Sequence, residues 1–484
     1  MDRTSGRDAP AADRGPDRRS WQALGVCLVA AFMTLLDISI VNVALPSIRA
    51  GLDAPESALQ WILSGYALAF GLVLVPAGRI GDARSRRAVF RTGLTLFVLA
   101  SAAAGLAESV WWLVVARLVQ GAAAGVVNPQ IAGFIQVLFR GAARGRAFGL
   151  LGATIGLATA TGPLLGGLII GAAGDAHGWR WVFYVNVPVG AAALLLAGRL
   201  LPACRPRARE SLDPVGVLLL GIGVTALLLP FVQERQWPGA AKWLLVPAGL
   251  AVLAGFVRWE RHYRRRHAPL VDPSLFALRS YTLGAVLILL YFAGFTAIFF
   301  IFTLYLQTGL GYHALAAGLA ITPFAVGSGL ASVLGGRMVA RYGRPLVAAG
   351  LVAVAAGLLG TLLAVRLVPG REAGWATALP LLVAGAGSGL VISPNQTITL
   401  SEVPVARGGS AAGVLQTGQR FGTALGIAVV GSLFFATVAA TGDWAAAFAR
   451  GLLVVLAFVL AALGVALYDL YGTRRARRTA ADGV

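Results

Sequence analysis

The chain has 484 residues, of which 58% are hydrophobic and only 12% charged, with a mean hydropathy of +0.78. A water-soluble domain of this size has no way to hide that much apolar surface, so the surrounding solvent is lipid. The formal net charge of +20 does not point to nucleic acid. Its bases are arginines gathered in short stretches between apolar runs, without the aromatic–basic interleaving of a strand-binding platform.

Residues 1–21 are polar and charged, lack the pattern of a cleaved signal peptide, and read as a disordered cytoplasmic tail. Apolar runs of about 20 residues, the length that crosses a bilayer as a helix, then follow near 22–45, 58–80, 88–107, 110–133, 146–172 and 180–200. A further pair lies near 213–233 and 242–259, and six more near 281–306, 315–340, 344–366, 375–398, 409–437 and 448–471. The expected fold class is an all-α polytopic membrane protein with about 14 transmembrane helices.

Loop charge orients the spans. Arginines cluster in the tail (Arg14, Arg18, Arg19) and in the second loop (Arg84, Arg86, Arg87, Arg91). They recur in the fourth (Arg140, Arg144, Arg146), the sixth (Arg199, Arg205, Arg207, Arg209) and the eighth (Arg258, Arg261, Arg264, Arg265, Arg266). The C-terminal tail has Arg474, Arg475, Arg477 and Arg478, while the intervening loops hold the acids Asp53, Glu56, Glu108, Asp175 and Asp443. Every second loop is basic, which predicts an even span count with both termini cytoplasmic. Two related segments, Gly78 to Arg87 after the second span and Gly336 to Pro345 after the tenth, read as short Gly-Arg loops between paired helices. They divide the chain into a six-helix bundle at 22–200, linkers with an inserted helix pair at 201–280, a second six-helix bundle at 281–472, and a tail at 473–484.

Asp37 lies deep within the first apolar run. An acid there costs about 2.5–3.5 kcal/mol on insertion scales, so its position asks for a function. A helix-end cap or a snorkelling acid is the plain alternative; proton handling in a transporter accounts better for the cost. At about 1.5 Å per residue, Asp37 stands about 20 Å above the start of its helix, and Arg117 about 10 Å below the outer end of the fourth. In a hydrocarbon core of about 30 Å the two meet at one level. Each needs a partner, so Arg117 is expected beside Asp37; the alternative is that it bonds only backbone carbonyls. Asp37 is read as the only clearly buried acid, which argues against a preference for divalent organic cations.

Other chemistry is sparse. Cys27 and Cys204 are placed too differently to pair, and all four histidines (His177, His262, His267, His313) fall in predicted loops. No metal-ligand cluster and no Cys/His nucleophile pair results, so neither metal, organic cofactor nor enzymatic activity is expected. The fifth span carries Gly156, Gly162, Pro163, Gly166 and Gly167, small residues that let helices approach and a proline that bends them. Asn42, Gln120, Tyr291, Phe295, Asn395, Gln396, Gln416 and Arg420 are candidates for lining a substrate cavity. A lipid-facing or core role serves the aromatics equally well.

Taken together, these segments resemble the major facilitator superfamily, and within it the fourteen-helix drug:proton antiporter family, over roughly residues 22–472. Gly78, Asp82, Arg86 and Arg87 match the superfamily's loop motif, whereas Ala83 and Ser85 depart from its usual base and glycine. The second copy keeps Arg341, Gly343 and Arg344 but has Ala340 where the acid would stand. Arg117 to Gly121 is similar to the fourth-helix arginine motif, and Gly162 to Gly167 to the fifth-helix antiporter motif. Leu36 to Pro46 and Trp179 to Gly190 are similar to segments of the fourteen-helix branch.

The resemblance implies export of lipophilic drugs or antibiotics across the cytoplasmic membrane by alternating access, with protons as the coupling ion. Asp37 and Arg117 would carry the coupling, while Gly78, Asp82, Arg86 and Arg87 would form a conformational gate. A generic solvated charge is the alternative for Asp82. The expected partners are a small lipophilic substrate and anionic headgroups at the basic loops, with no nucleic acid, in a monomer. A proton-coupled importer or metabolite exporter on the same fold is the rival within transport. A membrane-embedded enzyme is the rival outside it.

Overall fold

In a computed structural model, residues 17–174, 177–203, 213–232, 237 and 239–481 are described. Among them 14 helices are long and apolar enough to cross a membrane. The first six are α1 (Arg18–Leu52), α2 (Ala58–Ala83), α3 (Arg86–Gly105), α4 (Val110–Leu138), α5 (Gly141–Ala173) and α6 (Gly178–Leu200). A pair follows, α7 (Pro214–Phe231) and α8 (Ala240–Tyr263). The remainder are α9 (Arg279–Gly309), α10 (Leu315–Tyr342), α11 (Arg344–Leu367), α12 (Ala373–Thr399), α13 (Val405–Thr441) and α14 (Trp444–Gly472). The helical choice is forced, because in hydrocarbon every backbone N–H and C=O must bond within its own segment. Pro46, Pro76, Pro129, Pro230, Pro323 and Pro394 lie inside helices, where each removes one N–H from the helical ladder.

The protein is a multi-pass membrane protein. Large apolar side chains point outward all round it, Leu195 and Leu379 among them. Trp111, Trp181, Trp243 and Trp375 are exposed at the starts of α4, α6, α8 and α12, the ends away from the arginine-rich loops, as an interfacial aromatic belt would be. Tethers join the opposite ends: Arg19 Nη2 donates to Arg199 O at 3.2 Å, and Arg87 donates to Gly198 O.

The two predicted Gly-Arg loops are mostly helix. The first segment continues α2 as far as Ala83, leaving Arg84 and Ser85 to turn, and the second leaves only Gly343, at φ +57°. Both chains stay helical because backbone turns exposed near hydrocarbon cost more than a continued helix. His262, expected in a loop, lies in the last turn of α8, and His313 caps the helix that forms α10 by accepting from Ala316 N at 3.1 Å. Cys204, Arg205, Arg207 and Arg209 fall outside the described residues, as do Arg14 and the N-terminal sixteen.

Helices α1–α6 pack among themselves, as do α9–α14, and the two groups meet chiefly through α5 against α10 and α2 against α13. The inserted pair leans on α2, with Leu228 beside Gly71 and Gly221 beside Leu72. Where the halves meet near the arginine-rich loops, glycine is required: a Cβ on Gly145, Gly149 or Gly336 would overlap backbone atoms of the opposite half. The same holds for Gly78 against Gly409. The halves are therefore in close contact on the arginine-rich side.

Gly149→Leu is expected to prise this end apart. Spin labels at positions 142 and 341, both exposed, should then report a distance several ångströms longer than in the parent. An unchanged distance distribution would contradict so tight a contact.

Candidate functional site

Asp37 and Arg117 meet at the centre of the first half. The Arg117 guanidinium donates through Nη1 to Asp37 Oδ2 at 2.5 Å, with both side chains fully enclosed. The same nitrogen donates to Gln120 Oε1 at 2.7 Å, and Arg117 Nε donates to Ile62 O at 3.2 Å. The other carboxylate oxygen accepts from Gln120 Nε2 at 2.9 Å and from Asn186 Nδ2 at 3.0 Å. Ser101 Oγ accepts from both amides at 3.1 Å and donates to Phe183 O at 2.9 Å. Tyr66 closes the site from α2: its ring lies 4.1 Å from the Arg117 guanidinium carbon, and its hydroxyl donates to Thr34 O at 3.2 Å.

This arrangement satisfies a buried carboxylate on both oxygens, which is what keeps an ion pair tolerable away from water. A proton on Asp37 would remove the charge that holds Arg117, leaving that arginine on Gln120, a carbonyl and a ring face. Sequence reasoning assigned Gln120 to a substrate cavity; instead it is fully buried and holds Asp37. Asn186, Ser101 and Tyr66 were missed. The signal available for Asn186 was a lone amide within an apolar run, the same kind of cost that exposed Asp37.

Asp82 forms the second cluster, at the arginine-rich end. Its Oδ1 accepts from Arg86 Nη2 at 2.6 Å and from Gly409 N at 3.0 Å. Its Oδ2 accepts from Ser410 N at 2.8 Å and Ser410 Oγ at 3.0 Å. The α-helical part of α13 starts at Gly408, so a carboxylate from one half caps a helix N-terminus of the other. Arg86 strengthens the clasp by donating through Nη2 to Val405 O at 2.7 Å. Arg87, expected in the same gate, instead ties α3 to Gly198 within its own half.

A cavity of about 510 Å³ opens beside this clasp, lined in part by Arg79, Asp82, Arg264, His267, Asp272 and Arg407. Asp272 pairs with Arg407 and with Arg264, the latter at 3.5 Å. Burial raises the pKa of its carboxyl, but hydrogen bonds from Ser274 and the two arginines outweigh burial and hold it below the usual carboxylate range. That contact contributes stability above the ordinary carboxylate pKa and loses it as pH falls through the lowered value.

The expectation that Asp37 is the only clearly buried acid needs correction. Asp82, Asp213, Glu260, Asp272 and Asp469 are buried too, but each sits at the arginine-rich end, where a short reach brings bases or helix termini. Among the described residues no group of acids, histidines and cysteines has the arrangement of a metal site.

Of the other cavity candidates, Asn395 is buried and structural, donating to Gly284 O at 3.1 Å and accepting from Arg344 at 3.4 Å. Gln396 is buried next to it, and neither faces an open cavity in this closed arrangement. Tyr291 is enclosed and Phe295 half-buried, in an aromatic cluster with Phe292, Phe299 and Phe324. Asn42 is exposed and donates to Ile38 O at 3.1 Å. Gln416 and Arg420 are half-buried on one face of α13, and the Arg420 guanidinium carbon lies 4.2 Å from the Phe70 ring centre. On α5, Gly162 and Gly166 lie against Ser39 and Ile40 of α1, Gly156 lies against Ala325 and Gly329 of α10, and Gly167 faces open space. Pro163 lies within α5, its side chain outside the described set.

A family model described as Major Facilitator Superfamily matches residues 27–427. The chain belongs to that superfamily. It is 38% identical over 434 residues to the probable actinorhodin transporter of Streptomyces coelicolor, covering 89% of this chain and 75% of that one. It is 35% identical over 437 residues to the puromycin resistance protein of Streptomyces alboniger, covering 89% and 85%. Among solved structures, the proton:xylose symporter XylE superposes with a TM-score of 0.65 at 16% identity, over 92% of this chain and 94% of that chain, a likeness of fold.

This member of the superfamily makes its two clasps differently. In the second half, where Ala340 replaces the acid, Arg344 Nε reaches Asp469 Oδ2 of α14 at 2.6 Å and Arg344 Nη2 donates to Ser280 O at 2.9 Å. That clasp joins helices within one half, whereas Asp82 bridges the two.

Arg117→Gln would leave the Asp37 carboxylate buried without its counter-charge, at about 3–5 kcal/mol. Thermal unfolding in detergent should show this loss, and Asp37→Asn combined with Arg117→Gln should recover most of it. Additive losses in the double variant would contradict a direct pair.

Proposed function

We propose that this protein exports lipophilic drugs or antibiotics across the cytoplasmic membrane in exchange for protons, with the arginine-rich face and both termini cytoplasmic. The observation that carries this reading is the Arg117–Asp37 contact at 2.5 Å, enclosed within the membrane-spanning part of the first half. A charged pair placed there is costly, and a change of state when the acid takes a proton accounts for that cost. Two relatives, named for actinorhodin transport and puromycin resistance, favour export of antibiotics over import or metabolite exchange on the same fold.

With the arginine-rich side cytoplasmic, the closed contacts of α2 with α13 and of α5 with α10 correspond to the outward-facing state, and Asp82 is its latch. Protonation of Asp37 from outside would loosen the hold on Arg117 and let the first half rock against the second. One charge moving inward gains about 2.3 kcal/mol per 100 mV, before any pH gradient is counted. Protons are the only coupling species this scheme requires, and no step of it makes or breaks a covalent bond in the cargo.

In vesicles holding purified protein, addition of an antibiotic cargo should trigger proton release in the parent and none in Asp37→Asn. Undiminished release from Asp37→Asn would overturn the assignment of the proton to that residue.

A further inference from the structure

Arg420 stands apart from the buried arginines. It lies 12 residues past Gly408, so about 18 Å along α13 from the closed end. Its guanidinium is laid against Phe70 of the opposite half at 4.2 Å. Among the described residues it makes no ion pair and no hydrogen bond, and its nitrogens are not sealed off by protein. By contrast, Arg117 is held on Asp37, Arg86 on Asp82 and Arg344 on Asp469. A planar guanidinium stacked on a ring by its face keeps its N–H edge free, and that edge matches a carboxylate or other planar anion with two parallel bonds. Gln416 lies one turn away on the same face of α13, half-buried and without a hydrogen-bond partner among the described residues.

We propose that Arg420, with Gln416 beside it and Phe70 beneath it, is the recognition site for an anionic aromatic cargo, a ring system bearing a carboxylate or acidic hydroxyl. This rests on the export reading above and adds the substrate class to it. The anion takes the free edge of Arg420, Gln416 takes a further polar group, and the rings of the cargo extend the stack that Phe70 begins. The proton site is close but separate. Arg117 stacks on Tyr66 at 4.1 Å, Tyr66 and Phe70 lie 6.2 Å apart by ring centre, and Arg420 stacks on Phe70. Cargo and proton therefore occupy different groups joined by two rings, and do not compete for one carboxylate. With one proton entering per anion leaving, two charges move per cycle, so an inside-negative potential drives both halves of the exchange.

The test uses purified full-length protein with anthracenecarboxylate, its carboxamide and aminomethylanthracene, measured by equilibrium binding and by proton release in vesicles. The parent should bind the carboxylate at least about 10-fold more tightly than the other two, the factor that about 1.4 kcal/mol provides. Arg420→Gln should erase that preference while keeping the parent's affinity for the carboxamide, and Arg420→Lys should restore part of it. Retained binding of the carboxamide shows that Arg420→Gln is folded. Equal binding of all three by the parent, no binding of any, or an undiminished preference in Arg420→Gln would overturn the proposal. If an antibiotic still triggers Asp37-dependent proton release while no anion preference is found, the export reading stands and the substrate class falls. If no compound triggers release, the export reading itself fails.

Discussion

A full charge in hydrocarbon must be met by another charge or by a ring of donors, and that constraint organises the first half of this protein around Asp37. Its carboxylate draws Arg117 and Gln120 from α4 and Asn186 from α6. Ser101 of α3 and Tyr66 of α2 complete the shell around those groups. Residues of α1, α2, α3, α4 and α6 thus converge on one acid. In the proposed exchange, a single proton at that acid would alter contacts to several of those helices at once. Packing alone would have been served by apolar residues at less cost.

The functional parts are spread along the membrane normal. At the arginine-rich end, Asp82 of one half caps a helix of the other, and glycines such as Gly78 and Gly409 let the backbones come close enough for this to happen. Near the middle lie the enclosed pair and, facing it across Tyr66 and Phe70, the open guanidinium of Arg420. The clasp joins the two halves, whereas the Asp37 cluster is internal to one half. If the proposed proton exchange holds, an acid inside one half and a clasp between the two halves would be a physical basis for coupling, since both would bias the same two-state rearrangement.

Much of this was legible in the residues. All fourteen apolar runs are spans, because length and hydropathy are decided by the bilayer and need no tertiary knowledge. The meeting of Asp37 and Arg117 followed from helical rise and from the cost of leaving either alone. What sequence did not give was direction around each helix axis. Gln120 follows Arg117 by three residues and reads equally well as a cavity lining, yet its face of α4 turns inward to the acid. Asn395 reads as a cavity-lining candidate, and in this arrangement it serves the backbone of α9 and a neighbouring arginine. Arg87 sits next to Arg86, but one step around the helix sends it to α6 in place of the clasp. The chemistry was visible in each case, and the azimuth was supplied only by packing.

The central claim is that Asp37 carries the exchanged proton and that Arg117 responds to it. Isotope-edited infrared titration of the purified protein reads that carboxyl directly. The account predicts a protonated-carboxyl band that grows on acidification, is absent in Asp37→Asn, and changes when Arg117 is replaced. A carboxyl band that stays constant across the whole range, or one that titrates unchanged without Asp37, would contradict it.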